Sequence, residues 1–137
     1  MSTLAIIGSR SFSDYGLLCQ VINTYFRDGS TNTGRPTRFD TVISGGAQGA
    51  DSLAARWVNE YNESIQSFDN LRQYPIALIE LKPDWAKYGK SAGFVRNEAI
   101  IKGADYVLCL WDGQSRGSAN SLSIAKRLKK PTLIIYF

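Results

Sequence analysis

Three short segments place small and charged residues where an anion could be held. Gly8, Ser9, Arg10 and Ser11 follow the apolar run Leu4 to Ile7. Gly8 allows close backbone approach there, and Arg10 offers a planar fork for phosphate or carboxylate. Ser44, Gly45, Gly46, Ala47, Gln48, Gly49, Ala50 and Asp51 follow Thr41 to Ile43, their glycines opening directly into helical spacing. Asp112, Gly113, Gln114, Ser115, Arg116, Gly117 and Ser118 follow Tyr106 to Trp111 in the same way. Singly, each could be a tight turn, with Ser118 a simple N-cap and Asp51 a complement to a helix dipole. Three such loops at strand ends on one rim point instead to a phosphate-bearing ligand, because helix N-termini expose unpaired N–H groups to anions. Neither Gly-x-Gly-x-x-Gly nor the P-loop pattern is present, which withdraws support from dehydrogenase and nucleoside triphosphatase readings.

A fourth segment, Lys82 to Glu98, offers Trp85 and Tyr88 for stacking, Lys87, Lys90 and Arg96 for anions, and Asn97 with Glu98 for sugar hydroxyls. Arg96 near a helix start opposes the dipole, and an anionic ligand supplies a reason for it.

The chain has 137 residues, 16 Lys and Arg against 12 Asp and Glu, two Cys and no His. Without imidazole there is no Ser-His or Cys-His nucleophile and no His-ligated metal, so chemistry rests on carboxylates, Arg, Lys, Tyr or the backbone. Cys19 and Cys109 cannot form a four-thiolate zinc site, and neither metal nor cofactor is expected. Cys109 reads as a buried strand thiol, which suits a reducing compartment. No run approaches the roughly 18 apolar residues of a membrane span, and a cytoplasmic protein with no membrane partner is expected. The net charge of +4 favours anionic partners without choosing among them.

The elements that must position these loops follow from apolar spacing. Leu4 to Ile7, Thr41 to Ile43, Ile76 to Leu81, Tyr106 to Trp111 and Thr132 to Tyr136 have strand length and no alternation, as strands buried on both faces do. Between them Leu18, Val21, Ile22 and Tyr25 recur at helical spacing, as do Leu53, Ala54, Trp57, Val58 and Tyr61, and Leu122, Ala125 and Leu128. Phe94, Val95, Ala99 and Ile101 fit a helix less cleanly, but Gly103 is a good stop. The expectation is an α/β, three-layer Rossmann-like domain spanning residues 1–137, with a mainly parallel five-stranded sheet. Asp28 to Asp40 and Asn62 to Gln73 read as polar surface insertions on the side away from the strand C-termini.

Gly8-Ser9-Arg10, Ser44 through Asp51, Asp84-Trp85 with Tyr88-Gly89-Lys90, Ala92-Gly93 with Arg96-Asn97, Ala104-Asp105 and Gly113 through Ser118 resemble the SLOG superfamily, which joins the DprA and LOG proteins. Within it the likeness is closest to the small YAcAr-type branch of bacteria and phages. The resemblance implies a nucleotide-derived small-molecule ligand, such as ADP-ribose or a cyclic ADP-ribose-like species, held by a sensor or sequestering protein in defence signalling. It also implies a homo-oligomer, and glycine-rich loops on the phosphates. The alternative it implies is a LOG-type nucleotide phosphoribohydrolase or N-glycosidase, for which Arg96, Glu98 and Asp51 are the catalytic candidates. The expected catalytic Glu is missing, since Ala119, Asn120 and Ser121 fill that stretch, and this weighs against turnover. DprA-like nucleic-acid binding, with the basic end Lys126, Arg127, Lys129 and Lys130, ranks last on this reading, because cations at a helix C-terminus commonly form only a solvated face.

Overall fold

The computed structural model describes residues 2–27, 39–67 and 75–137. Five strands form one parallel sheet: β1 (Thr3–Gly8), β2 (Thr41–Ser44), β3 (Ala77–Glu80), β4 (Tyr106–Trp111) and β5 (Thr132–Tyr136), in the order β3-β2-β1-β4-β5. The α/β Rossmann-like expectation holds. The chain builds outward from β1 to β3, then crosses back to lay β4 on the other side of β1. The loops leaving β1 and β4 therefore diverge, which is where open parallel sheets hold ligands.

Helices on both faces explain the unbroken apolar runs of the central strands β1, β2 and β4, whereas β3, expected to be covered on both faces, is an edge strand with Ile79 43% exposed. Leu4, Ile6, Val42, Leu108 and Leu110 pack against Leu18, Val21 and Ile22 of α1 (Tyr15–Ile22) and Ala54, Trp57 and Val58 of α2 (Ala50–Ser67). The alternate residues Ala5, Ile7, Ile43, Val107 and Cys109 meet Ile100 and Ile101 of α4 (Ala92–Gly103) and Ile124 and Ala125 of α5 (Arg116–Arg127). Each fully buried Leu or Ile contributes roughly 1.5–3 kcal/mol relative to exposure. A short helix, α3 (Trp85–Tyr88), and a 3-10 turn (Gly89–Ser91) precede α4.

Two further expectations need correction. Asn62 to Ser67 are not part of a loop; they complete α2. Asn62 then clasps the chain as it re-enters the sheet: its Nδ2 donates to the Ile76 carbonyl at 3.0 Å and its Oδ1 accepts from the Ile76 N–H at 2.8 Å. With both backbone groups occupied, Ile76 is buried but lies outside β3. Nor is Phe39 a surface residue, since it packs on Trp57 in the core with ring centroids 5.8 Å apart. Residues 28–38 and 68–73 of the expected insertions lie outside the described residues.

Candidate functional site

A cleft of about 460 Å³ opens at the C-terminal ends of β1, β2 and β4. The three small-residue loops and the start of α4 form its walls.

The β1 loop is packed hard into place. A Cβ at Gly8 would run into the Leu110 carbonyl and lie 2.8 Å from the Ala50 side chain, so only glycine lets β1 end flush against β4 and α2. Ser9 is buried and structural: its N–H donates to the Leu110 carbonyl at 2.9 Å and its Oγ accepts from the Asp112 N–H at 3.1 Å. Arg10 is exposed at the cleft mouth.

The β2 loop folds around Asp51. The Ala47 N–H donates to Asp51 Oδ2 at 3.2 Å, and the Ala50 N–H donates to the Ser9 carbonyl at 3.3 Å, tying this loop to the first. Gly49, at φ 77°, lies against the Ser9 and Arg10 backbone. Burial pushes the Asp51 carboxyl above its ordinary range; the Ala47 N–H and the Arg96 charge oppose that shift, and Glu80 adds to it. Ser44 Oγ is buried with no hydrogen-bond partner among the described residues.

In the β4 loop, Asp112 Oδ1 accepts from the N–H groups of Gln114 at 2.9 Å and Ser115 at 2.8 Å. Those donors hold its carboxyl below the usual range. Ser115 caps α5, accepting from the Ser118 N–H at 3.4 Å while its own hydroxyl donates to Ser118 Oγ at 3.0 Å. Behind this loop, burial pushes the Cys109 thiol up to about 12, an inert strand thiol as expected.

Arg96 reaches across from α4. Its Nη1 donates to the Gly45 carbonyl at 3.0 Å and the Leu81 carbonyl at 3.4 Å, and its Nε donates to Asn97 Oδ1 at 3.0 Å. A Cβ at Gly45 would collide with that guanidinium and sit 2.8 Å from Asp51 Oδ2, which is why this position is glycine. Asn97 Nδ2 donates to Asn120 Oδ1 at 3.0 Å, joining α4 to α5. Half-burial lowers the Arg96 pKa, Asp51 opposes this, and the Arg10 charge lowers it further. The two cations repel across the cleft, and an anion between them relieves that repulsion.

The fold thus brings Gly8, Arg10, Ala47, Asp51, Arg96, Asn97, Ser115, Gly117 and Ser118 to one cleft. Ser9, Ser44, Gly45, Gly46, Gly49 and Gly113 shape its loops without lining it. Trp85, Tyr88 and Lys90 lie outside it, exposed on the connection between β3 and α4. Glu98 is not in the cleft: its Oε1 accepts from Arg127 at 2.5 Å and lies 3.8 Å from the Lys102 ammonium. Sequence reasoning missed Arg116, the first residue of α5 and a lining residue, and Phe94. Phe94 is 60% exposed, as is Trp85, and Tyr88 is exposed as well.

No family model matches the chain. The Gene 61 protein of Mycobacterium phage D29 is 32% identical over 93 residues, which are 67% of this chain and 68% of that protein. The chain belongs to the Gene 61 protein family. Among solved structures, it is similar to DNA processing protein A (DprA) from Helicobacter pylori, with a TM-score of 0.54 and 22% identity. The likeness covers 97% of this chain and 64% of that one, so the chain spans just under two thirds of the neighbour's length. At this identity the likeness shows a shared fold. The shared fold is the Rossmann-like α/β arrangement around a parallel sheet.

The neighbour was solved for its single-stranded DNA binding mode. That finding overturns the expectation of an ADP-ribose or cyclic ADP-ribose-like ligand held by a sensor or sequestering protein, and with it the placing of nucleic acid last among partners. The physical reason is the arrangement of the aromatic groups. Trp85 and Tyr88, read as stacking groups for the ligand, do not line the cleft; they are exposed outside it.

Replacing Asp51 by asparagine checks the electrostatics of the cleft floor. Its raised pKa means the folded state prefers the protonated acid, so stability present below the ordinary value of 3.8 is lost as pH rises through the raised one. Asp51→Asn keeps an acceptor for the Ala47 N–H and removes that loss. The variant melts above the parent at neutral pH, and the difference narrows in acid. An equal melting temperature at neutral pH would contradict this account.

Proposed function

We propose that this chain binds single-stranded nucleic acid along the rim of the cleft, with a backbone phosphate between Arg10 and Arg96 and bases on the aromatic side chains beside them. The observation that carries this reading is a cleft lined by Arg10, Arg96 and Arg116, with Trp85, Tyr88 and Phe94 exposed on the segment that leads into and begins the helix carrying Arg96. Single-strand binders combine a basic groove that tracks the phosphates with aromatic faces on which bases stack. The solved neighbour's binding of single-stranded DNA supports it by analogy of fold. Lys87 and Lys90, exposed on the same connection, extend the positive track. Asp51, which lines the same cleft, opposes the fall in the Arg96 pKa that half-burial causes.

Fluorescence anisotropy with a labelled oligothymidylate, repeated across a salt series, tests the reading. With Arg10 and Arg96 on one phosphate and Arg116 on a second, the cleft gives a slope of about −1.4 in log affinity against log salt, at about −0.7 per phosphate neutralised. A duplex of the same length, whose bases cannot reach the aromatic rim, binds more weakly. No binding of the single strand, or tighter binding of the duplex, would overturn the proposal.

A further inference from the structure

The side of the molecule at β5 carries a second groove, of about 590 Å³, between α5 and the strand. Trp111, Leu122 and Ile134 make its apolar floor, and Lys126 and Lys130 stand at one end. β5 is the last strand of the sheet, so the N–H and C=O groups along its outer edge have no ladder partner among the described residues. An unpaired edge beside an apolar groove is the arrangement on which an extended peptide adds as a strand, with backbone bonds giving affinity and alternate side chains filling the groove.

The charge around the groove says what kind of peptide fits. Residues 113–137 carry five cationic side chains, Arg116, Lys126, Arg127, Lys129 and Lys130, and no acidic one. Of these only Arg127 has a carboxylate partner among the described residues, namely Glu98. A second copy docked edge to edge would offer these lysines no acid from α5 or β5, which hold none, so a carboxylate to match them comes from a different chain.

We propose that this groove docks an extended acidic segment of a partner protein, which adds to β5 as a further strand, with apolar side chains over Leu122 and Ile134 and carboxylates on Lys126 and Lys130. The site is separate from the cleft, because no residue lines both: Ala119, Leu122, Ser123 and Lys126 of α5 line the groove, whereas Arg116, Gly117, Ser118 and Ser121 line the cleft. A partner and a nucleic-acid strand can therefore be held together.

The test uses the full chain and a labelled synthetic decapeptide alternating Asp with Ile and Val. Controls are the same peptide with Lys in place of Asp, and one N-methylated at alternate residues so that it cannot complete a ladder. The acidic peptide is expected to bind and to slow hydrogen exchange of the β5 amides, while both controls bind at least about tenfold more weakly. The double variant Lys126→Glu, Lys130→Glu keeps the parent's melting temperature, which shows that it is folded, and weakens acidic-peptide binding about tenfold or more. Equal binding of the Lys peptide or the methylated peptide would overturn the proposal, as would indifference to the double variant. Displacement of the peptide by oligothymidylate would assign the groove to nucleic acid instead, and concentration-dependent dimerisation that protects β5 would assign it to a second copy.

Discussion

Replacing Arg10 by alanine reduces affinity for oligothymidylate by roughly 10- to 150-fold, the equivalent of one charge-assisted hydrogen-bonded contact of about 1.5–3 kcal/mol. Arg10 is the clean test because its side chain is exposed at the cleft mouth, so melting temperature stays near the parent's. Arg96→Ala has a loss at least as large but two origins. It removes the second cation, and it also takes the donor away from the Gly45 and Leu81 carbonyls. Arg96→Lys separates them by keeping the charge without the fork, and an intermediate affinity is expected. Because the two arginines face one anion, the double variant loses less than the sum of the single losses. Strict additivity would place them on different phosphates, and unchanged binding in Arg10→Ala would remove the cleft from the nucleic-acid path.

What the sequence made legible, and what it hid, divides along the range of the interaction involved. Strands such as Tyr106 to Trp111 were readable because a central parallel strand is buried on both faces and needs no alternation. The cleft loops were readable because sheet order alone fixes which strand ends diverge, and small residues mark those turns. The clasp of Asn62 on Ile76 was not readable, since a side chain bonding backbone 14 residues away leaves no periodic trace. Asn97 and Glu98, adjacent in sequence, were read as one pair for sugar hydroxyls. A residue step turns a helix by about 100°, which leaves Asn97 at the cleft and sends Glu98 to Arg127 on α5. The ligand was misjudged for a related reason. Glycine loops speak of phosphate but not of what the phosphate belongs to, and the deciding aromatics were legible as residues and not as exposed ones. Phe94 and Val95 in particular look like the apolar stripe of α4, yet its buried side is made by Ala92, Ile100 and Ile101.

That exposure separates the contributions of phosphate and base. Trp85 and Phe94 are each 60% exposed, so replacing them by alanine removes little packing, and melting temperature changes little. If bases stack on them, each replacement costs about 1–3 kcal/mol of single-strand affinity, roughly 5- to 150-fold, and the double variant costs more than either single one. The loss has a different salt signature from that of Arg10→Ala. A ring neutralises no phosphate, so the variant's plot of log affinity against log salt runs below the parent's and parallel to it, whereas Arg10→Ala flattens the slope. Trp85→Phe retains a π-face and most of the affinity. An abasic strand, which offers the same phosphates and no bases, binds the parent and the Trp85→Ala, Phe94→Ala double variant equally. Were the double variant to bind oligothymidylate as tightly as the parent, the exposed rings would have no part in strand binding, and the cationic cleft would stand alone as the site.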